Sequence, residues 1–264
     1  MDFNDTPQEA EFRKKVRSFL EANAEKRSTL AAKPKGDSGS SISSAGAPET
    51  VKGEDAAKVA LDNAKEWQRK KADAGFAAIL WPKEFGGYGG TPIEQVIYAQ
   101  EEHDYFVHSG YFEIGIGMLG PTMMAWGKDE DKKRFLPKMI TGEEIWCQLF
   151  SEPSAGSDLA GIRMKAEKDG DEWVLNGQKV WTSGAHFADY GMIVARSDPT
   201  ALKHKGLTYF YVDMKTPGIE AKPIKQISGS ANFNEVFFND VRIPDSQRIG
   251  AEGDGWKVSL TTLM

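Results

Sequence analysis

WCQLFSEPSAGSD (Trp146–Asp158) is the segment from which we infer the fold of this chain. It begins as a short apolar run, typical of a buried strand, and breaks at Ser151 into a loop of serine, glycine and proline. A second segment, VWTSGAH (Val180–His186), follows the connection EWVLNGQKV. That connection contains Asn176-Gly177, a pair typical of two-residue hairpin turns. The sequence therefore predicts a hairpin that folds the second segment back beside the first.

The two segments carry the groups that a planar heterocycle needs in a binding site. Gly156 lets backbone N–H groups approach a ligand closely, and Ser151 and Ser157 add hydroxyl groups. Trp181 offers a flat aromatic face, and Ser183, two residues further along the strand, points the same way. A flavin fits this combination of backbone donors, hydroxyls and aromatic face, and so would other ring systems.

Composition restricts the class of protein. The chain has 264 residues, enough for two domains and a sizeable core. Its formal net charge is −6, so it has no basic stripe of the kind that general nucleic-acid binding requires. No apolar run is long enough to cross a bilayer, and the acidic start MDFNDTPQEAEF is unlike a secretory or mitochondrial leader. We therefore expect a cytoplasmic protein.

The side chains that most often carry chemistry are few here. The single cysteine, Cys147, lies in an apolar run, so we interpret it as a buried hydrophobe rather than a nucleophile. The four histidines lack the spacing of metal ligands, and we expect no metal site. Glu101 and Glu102 are adjacent on a predicted helix and point about 100° apart, so we expect them to be solvated or paired structurally rather than a cooperating acid and base.

Residues 1–143 are predicted to form a helical domain. Thr6-Pro7-Gln8-Glu9 and Thr91–Glu94 each combine an N-cap threonine, a proline at the first helical position and a capping-box glutamate. Apolar residues that recur at helical spacing predict the inward faces of these helices: Phe12, Val16, Phe19 and Leu20 in the first, and Ile93, Val96 and Ile97 in the second. Residues 28–54 are rich in serine, glycine, alanine and proline, which predicts a flexible insertion.

From Trp146 onward the apolar period changes from that of a helix to that of a strand. Five β-prone segments are separated by turn residues: GDEWVLNGQKVWTS, GMIVARS, GLTYFYVDM, IEAKPIKQI and NEVFFNDVRIP. They predict an antiparallel β-barrel domain over residues 144–248, with closure favoured because exposed edges are costly. Residues 249–264 begin a helix whose apolar face lacks a partner. We therefore expect an α+β chain that is truncated at the start of a C-terminal helical domain.

Four segments, in order, resemble the acyl-CoA dehydrogenase family: SEPSAGSD, NGQKVWTSG, FNEVFFNDVRIP and GAEGDGWKV. The earlier segments WPKEFGGYGG and DKKRFLPKMITGE also resemble that family's helical domain. The resemblance covers nearly the whole chain except residues 28–54. It implies an N-terminal helical domain and a middle β domain, with the C-terminal helical domain missing.

The resemblance also implies an FAD site and its residues. By similarity, the flavin is held by Gln148, Phe150, Ser151, Gly156, Ser157, Trp181, Thr182 and Ser183. Ser157 would also reach the thioester end of the substrate, and the Ser183 hydroxyl would bond the flavin nitrogen that accepts hydride. Three positions depart from the commonest family pattern: Gln148 replaces an aromatic residue, Ser154 a glycine, and Ser183 a threonine.

The activity implied is α,β-dehydrogenation of an acyl-CoA thioester, in fatty-acid β-oxidation or related lipid metabolism. A glutamate removes the α-proton while the β-hydrogen leaves as hydride to the flavin. In relatives that glutamate lies in the C-terminal domain, so no residue here is assigned as the base, and we expect this fragment alone to be inactive. The resemblance further implies electron-transfer flavoprotein as the acceptor and a homo- or hetero-oligomer as the full-length form.

Other functions stay open on the sequence. A related flavin oxidase or monooxygenase would use the same cofactor. A non-catalytic partner subunit or a gene remnant would keep the fold without the activity, because a fold does not guarantee a function. For an active enzyme, the glycines of EIGIGMLG (Glu113–Gly120) suggest room for a bulky acyl group.

Overall fold

The structure is a computed structural model that describes residues 4–27 and 54–264. The insertion predicted at residues 28–54 lies, except for its last residue, outside the described residues. The chain divides into two compact units. The first comprises Met1–Gly110 and Ile140–Gly142, and the second comprises Tyr111–Met139 and Glu143–Met264. None of the described helices is both long enough and apolar enough to span a membrane.

The first unit is mainly helical. Its helices are α1 (Pro7–Asn23), α2 (Glu54–Asp73) and α3 (Pro92–His103). Two short strands, β1 (Glu25–Lys26) and β2 (Tyr105–Phe106), pair antiparallel, and a 3₁₀ turn spans Lys83–Phe85. Aromatic and aliphatic side chains from all three helices form one core, which includes Phe12, Leu20, Trp67, Phe76 and Tyr98.

Both predicted capping boxes are confirmed. The Thr6 hydroxyl accepts from the Glu9 backbone N–H at 3.3 Å, and the Glu9 carboxylate accepts from the Thr6 N–H at 2.7 Å. Thr91 and Glu94 make the same pair of bonds at 3.2 and 2.8 Å. Each box satisfies two N–H groups that a helix start leaves without a partner, which explains why α1 and α3 begin where they do.

The predicted inward face of α1 is largely confirmed, but that of α3 is partly wrong. Ile97 is buried, whereas Ile93 and Val96 are 52% and 50% exposed. The helix turns Glu101 inward instead, because its carboxylate pairs with Arg13 and Arg17 of α1.

Glu102, the other carboxylate of that adjacent pair, also has a structural role. It accepts hydrogen bonds from the indole N–H of Trp67 at 3.1 Å and from the Tyr98 hydroxyl at 3.0 Å. The prediction that Glu101 and Glu102 are structural is therefore confirmed.

The second unit contains three helices and one sheet. A π-helical turn (Gly115–Leu119) runs directly into α4 (Gly120–Trp126), and α5 (Asp129–Thr141) and α6 (Gly255–Leu263) complete the helices. The strands are β3 (Trp146–Leu149), β4 (Lys165–Asp169), β5 (Glu172–Ser183), β6 (Tyr190–Arg196), β7 (Leu207–Asp213), β8 (Ile219–Ile224), β9 (Phe233–Pro244) and β10 (Arg248–Ile249). Their order is β10-β7-β6-β4-β5-β9-β8, and β3 pairs with β6 off this path.

The α+β class is confirmed, but the sheet is open rather than closed into a barrel. It is also mixed, since β3 and β4 both pair parallel to β6 while the other pairings are antiparallel. The two edge strands, β10 and β8, disfavour pairing with a further strand even though the sheet is open. β10 has only two residues, and β8 carries Lys222 and Pro223, residue types that disfavour the addition of another strand. Closure is therefore not needed to protect these edges.

The predicted hairpin turn at Asn176-Gly177 is wrong. Both residues lie inside β5, which continues through them. The tight turn is at Gly170-Asp171, between β4 and β5, where Gly170 has a φ of +61°. The second segment therefore begins on the long strand β5, and no hairpin turn at Asn176-Gly177 precedes it.

Asn176 and Gly177 instead mark a register shift between β5 and β9. The Asn176 side-chain amide donates to the Asp240 carboxylate at 3.0 Å and accepts from the Asp240 N–H at 2.9 Å. Gly177 has a φ of +147°, and a Cβ there would come within 3.0 Å of the Met164 backbone. The glycine is required by this close approach and not by a turn.

Candidate functional site

The first segment leaves the sheet at the end of β3 and forms a tight turn. Glu152 and Ala155 exchange two backbone hydrogen bonds, at 2.8 and 3.0 Å, which close the turn. Phe150 before the turn is buried, while Gly156 and Ser157 after it are exposed. A Cβ placed on Gly156 would meet nothing within 4 Å, so the surface there is open to a ligand.

Cys147 lies on β3 and is buried, as the sequence predicts. Burial raises the pKa of its thiol to about 12. A thiol that stays protonated at neutral pH is a poor nucleophile, so Cys147 contributes to packing.

The second segment lies at a bulge in β5. The register with β9 shifts between Lys179 and Thr182, and Trp181 has a φ of +59°, in the left-handed region that bulky residues rarely adopt. The bulge turns the Trp181 indole outward, where it is 59% exposed and lies edge to face with Phe233 at 6.0 Å. Such strain is concentrated at binding and catalytic sites. Beyond the bulge, Thr182 is buried and Ser183 is half-buried.

Hydrogen bonds join the two segments directly. The Val180 N–H donates to the Ser151 carbonyl oxygen at 2.9 Å. The Lys179 ammonium donates to the Phe150 carbonyl oxygen at 3.0 Å. The structure therefore brings Phe150 and Ser151 beside the strand that carries Trp181. Gly156 and Ser157 follow beyond the turn that starts at Glu152, and within the described residues no hydrogen bond joins them to the second segment.

A buried ion pair that was not predicted from the sequence lies at this junction. Lys179 is fully buried, and its ammonium lies 2.9 Å from the Glu152 carboxylate and 2.8 Å from the Val194 carbonyl oxygen. The same carboxylate accepts from the backbone N–H groups of Arg163 and Met164, at 2.6 and 3.0 Å. Burial lowers the pKa of Lys179 to about 8, although Glu152 partly opposes this shift.

The sequence did contain a signal for this pair. Trp173 and Leu175 are buried on β5, and alternation along a strand places Lys179 on the same face. A lysine on an inward face needs a buried partner, because an unpaired buried charge is very costly. The partner itself could not be identified, since Glu152 lies 27 residues earlier in the chain.

Three buried polar atoms of the two segments have no hydrogen-bond partner within the described residues, and one of them is the indole nitrogen of Trp146. The other two are the Thr182 hydroxyl oxygen and the Gln148 amide nitrogen. Buried polar groups in folded proteins are nearly always paired, since an unpaired one costs about 1–3 kcal/mol. Both atoms belong to positions for which the sequence predicts cofactor contacts, and a bound ligand would supply the missing partners.

Asn234 on β9 fixes the backbone of the bulge. It is fully buried, and its side-chain amide donates to the Thr182 carbonyl oxygen at 2.9 Å. The side-chain oxygen of Asn234, Oδ1, lies 2.9 Å from Nδ1 of His186, a residue just beyond the bulge. Burial lowers the pKa of His186, although the bond to Asn234 partly opposes this shift.

Two family models match the chain. The N-terminal domain of acyl-CoA dehydrogenase matches residues 47–143, and the middle domain matches residues 147–241. The second match contains most of the first segment and all of the second.

Known proteins of this family are similar to the chain. Acyl-CoA dehydrogenase IpdE1 of Mycobacterium tuberculosis is 42% identical over 204 residues, which are 77% of this chain and 53% of the relative. The chain thus spans about half the length of that relative.

Solved structures agree with this likeness. The ChsE4-ChsE5 complex from Mycobacterium tuberculosis has a TM-score of 0.76 at 32% identity, over 100% of this chain and 61% of the matched chain. A structure described as "Tcur3481-Tcur3483 steroid ACAD" has a TM-score of 0.77 at 29% identity, over 100% of this chain and 62% of the matched chain. The chain belongs to the acyl-CoA dehydrogenase family and carries its N-terminal and middle domains.

Proposed function

We propose that this chain forms part of an FAD-dependent acyl-CoA dehydrogenase, an oxidoreductase that acts on the Cα–Cβ bond of an acyl-CoA thioester. The observation that carries the proposal is the junction between the two matched segments. There, Phe150 and Ser151 are bonded to β5 directly beside a strained bulge that exposes Trp181. Membership of the family supports this reading of the junction.

The residues at this junction fit a flavin. Thr182 and Gln148 hold buried polar atoms that need partners, and Gly156 leaves open space. Trp181 presents an exposed aromatic face. We therefore assign FAD binding to the full set of predicted residues: Gln148, Phe150, Ser151, Gly156, Ser157, Trp181, Thr182 and Ser183.

Within this site each residue type has a physical role. When bound, FAD would supply the acceptor for the hydride that leaves the acyl β-carbon. The Ser183 hydroxyl would bond the cofactor, and Trp181 would cover its ring and exclude water. Ser157 would bond the substrate at its thioester end, where polarisation of the carbonyl makes the α-proton more acidic.

The carboxylate within the first segment is not suited to act as the base. Glu152 is buried and already bonded to the Lys179 ammonium and to two backbone N–H groups. A carboxylate held in this way cannot reach a substrate proton. We propose that the base is supplied outside this site, and that these 264 residues alone do not turn over substrate.

The substrate class is proposed from a glycine-rich turn. Gly115 and Gly117 lie in the π-helical turn, and a Cβ on Gly117 would meet nothing within 4 Å. Such turns are frequent at functional sites. The similar structure described as a steroid ACAD supports a bulky acyl group rather than a short straight chain. Comparing kcat/KM for a ring-bearing acyl-CoA and for butyryl-CoA in the whole protein tests this proposal, and a preference for butyryl-CoA would contradict it.

The partners are also proposed. The similar ChsE4-ChsE5 structure is described as a complex, which supports an oligomer that includes a second type of subunit. Electron-transfer flavoprotein stays the proposed acceptor, and the cytoplasm stays the predicted location. Co-purification of a second type of subunit with the whole protein would check the proposed oligomer. Electron transfer from the reduced enzyme to electron-transfer flavoprotein would check the proposed acceptor.

Titration of the purified chain with FAD tests the core of the proposal. We expect saturable quenching of flavin fluorescence at a ratio of one FAD to one chain, without dye reduction when acyl-CoA is added. Failure to bind FAD would contradict the proposed cofactor. Dye reduction by these residues alone would contradict the assignment of the base to a group outside the site.

A further inference from the structure

The buried pair Lys179–Glu152 closes the base of the loop that carries Gly156 and Ser157. Glu152 begins this loop, and its carboxylate bonds the backbone N–H groups of Arg163 and Met164, where the loop ends. One side chain therefore holds both ends of the loop together.

Lys179 then fastens this closed loop to the sheet. Its ammonium donates to the Glu152 carboxylate, to the Phe150 carbonyl oxygen in the first segment and to the Val194 carbonyl oxygen on β6. Lys179 lies two residues before Trp181 and three before Thr182 on β5. The pair thus connects the loop, the bulge and the middle of the sheet through buried hydrogen bonds.

Stability alone is a poor explanation for this arrangement. Replacing a buried ion pair by apolar residues of similar size is often neutral or stabilising, because removing two charges from water is costly. All three ammonium N–H groups are nevertheless used. A fully satisfied buried network of this kind fixes one geometry rather than adding net stability.

We propose that Lys179 and Glu152 are positioning residues of the FAD site, which hold the loop that carries Gly156 and Ser157 and the Trp181–Ser183 segment in the arrangement that binds the flavin. This inference rests on the proposed function. Neither residue touches the cofactor in this scheme. Lys179 acts through the carbonyl oxygen of Phe150, and Glu152 acts through the two N–H groups that close the loop.

The test compares Lys179→Met with Lys165→Met in the chain. Both variants exchange a lysine for a methionine in the second unit, but Lys165 is exposed on β4. For each protein we would measure the dissociation constant for FAD, the visible circular dichroism of the bound flavin, and the free energy of unfolding in urea. The last measurement separates a loss of positioning from a loss of folded protein.

We expect Lys179→Met to raise the dissociation constant for FAD about tenfold or more relative to Lys165→Met, and to change the visible dichroism of the flavin. In the wild type the affinity should fall between pH 7 and 9, since burial lowers the pKa of Lys179 to about 8 and the ammonium is lost in that range. The Lys179→Met variant has no such group and should not show this step.

Equal affinities, spectra and pH profiles for Lys179→Met and Lys165→Met would overturn the inference and leave the proposed function intact. Absence of FAD binding by the wild-type chain would overturn both. If Lys179→Met does not fold, Glu152→Gln keeps the size of the side chain and removes the negative charge. We expect Glu152→Gln to weaken FAD binding as well. An unchanged affinity for FAD in this variant would contradict the positioning role of Lys179 and Glu152.

Discussion

The side-chain amide of Asn234 donates a hydrogen bond to the carbonyl oxygen of Thr182, which lies 2.9 Å from the amide nitrogen. Asn234 itself is fully buried. This bond spans from β9 to the residue that follows the strained Trp181. It stabilises the carbonyl in the orientation that the bulge imposes, and thereby supports the part of the proposed site that β5 contributes.

Removing this amide should weaken both the fold and the site. We expect Asn234→Ala to lower the free energy of unfolding by about 1–3 kcal/mol, because a buried carbonyl loses its partner. FAD binding should weaken as well. Urea denaturation and FAD titration would measure the two effects. Asn239→Ala, at an exposed position of the same strand, is the control and should change neither.

The backbone strain at Trp181 predicts a small effect on stability and a large effect on binding. Glycine adopts a φ of +59° without steric cost, and this relief offsets the loss of the Phe233 contact, so Trp181→Gly should change the free energy of unfolding by less than about 1 kcal/mol. The affinity for FAD should fall at least about tenfold, since the aromatic face is lost.

The matched control for Trp181→Gly is Asp240→Gly. Asp240 is the other described non-glycine residue with a positive φ, +49°, and it lies on β9 outside the proposed site. Its replacement should leave FAD affinity unchanged. A Trp181→Gly variant that binds FAD as tightly as the wild type would contradict a role for the indole in the site.

Two glycines distinguish a functional from a structural requirement. Gly156→Ala should leave the free energy of unfolding within about 0.5 kcal/mol of the wild type, because its Cβ would meet no atom within 4 Å. The same change should weaken FAD binding, since the methyl group would occupy the space of the ligand. Gly177→Ala should instead lower stability by more than about 1 kcal/mol, because its Cβ would crowd Met164. Denaturation and FAD titration of both variants provide the comparison.

The buried lysine predicts an unusual dependence of stability on pH. Burial lowers the pKa of Lys179 to about 8 from 10.5, so between these values the unfolded chain holds a proton that the folded chain has lost. The free energy of unfolding of the wild type should therefore rise with pH in this window, relative to Lys179→Met, by no more than about 3 kcal/mol.

Below pH 8 Lys179 is protonated in both the folded and the unfolded chain. The difference in free energy of unfolding between the wild type and Lys179→Met should therefore be constant there. Urea denaturation at several pH values would measure it, with Lys165→Met as the matched variant. A difference that falls as pH rises from 8 would show that the ion pair with Glu152 outweighs burial. The expected rise in stability overlaps the expected loss of FAD affinity between about pH 8 and 9, so there the two measured quantities should move in opposite directions.

Local signals in the sequence predicted most of the secondary structure. The two capping boxes at Thr6 and Thr91 begin α1 and α3, because the bonds that define them lie within four residues. The five β-prone segments correspond to β5, β6, β7, β8 and β9, because runs of β-branched and aromatic residues that are bounded by turn residues favour strands. Two of the motifs that resemble the family, SEPSAGSD and NGQKVWTSG, lie at the junction of the two segments.

Features that depend on distant partners were not predictable in the same way. Asn176 and Gly177 carry the signal of a hairpin, but the partner that decides their conformation is Asp240, 64 residues away. The inward face of α3 was misassigned because Glu101 is turned inward by arginines of α1. The strained backbone of Trp181 has no local signature, since it depends on the register between β5 and β9.

The central claim is that the Gln148–Ser157 segment and the Trp181–Ser183 bulge together bind one flavin. A crystal structure of the protein with bound FAD tests it most directly. We predict that the flavin ring lies against Trp181, with the Thr182 hydroxyl and the Gln148 amide bonded to the cofactor. A flavin ring seated on another surface, with both of these groups still unpartnered, would contradict the claim.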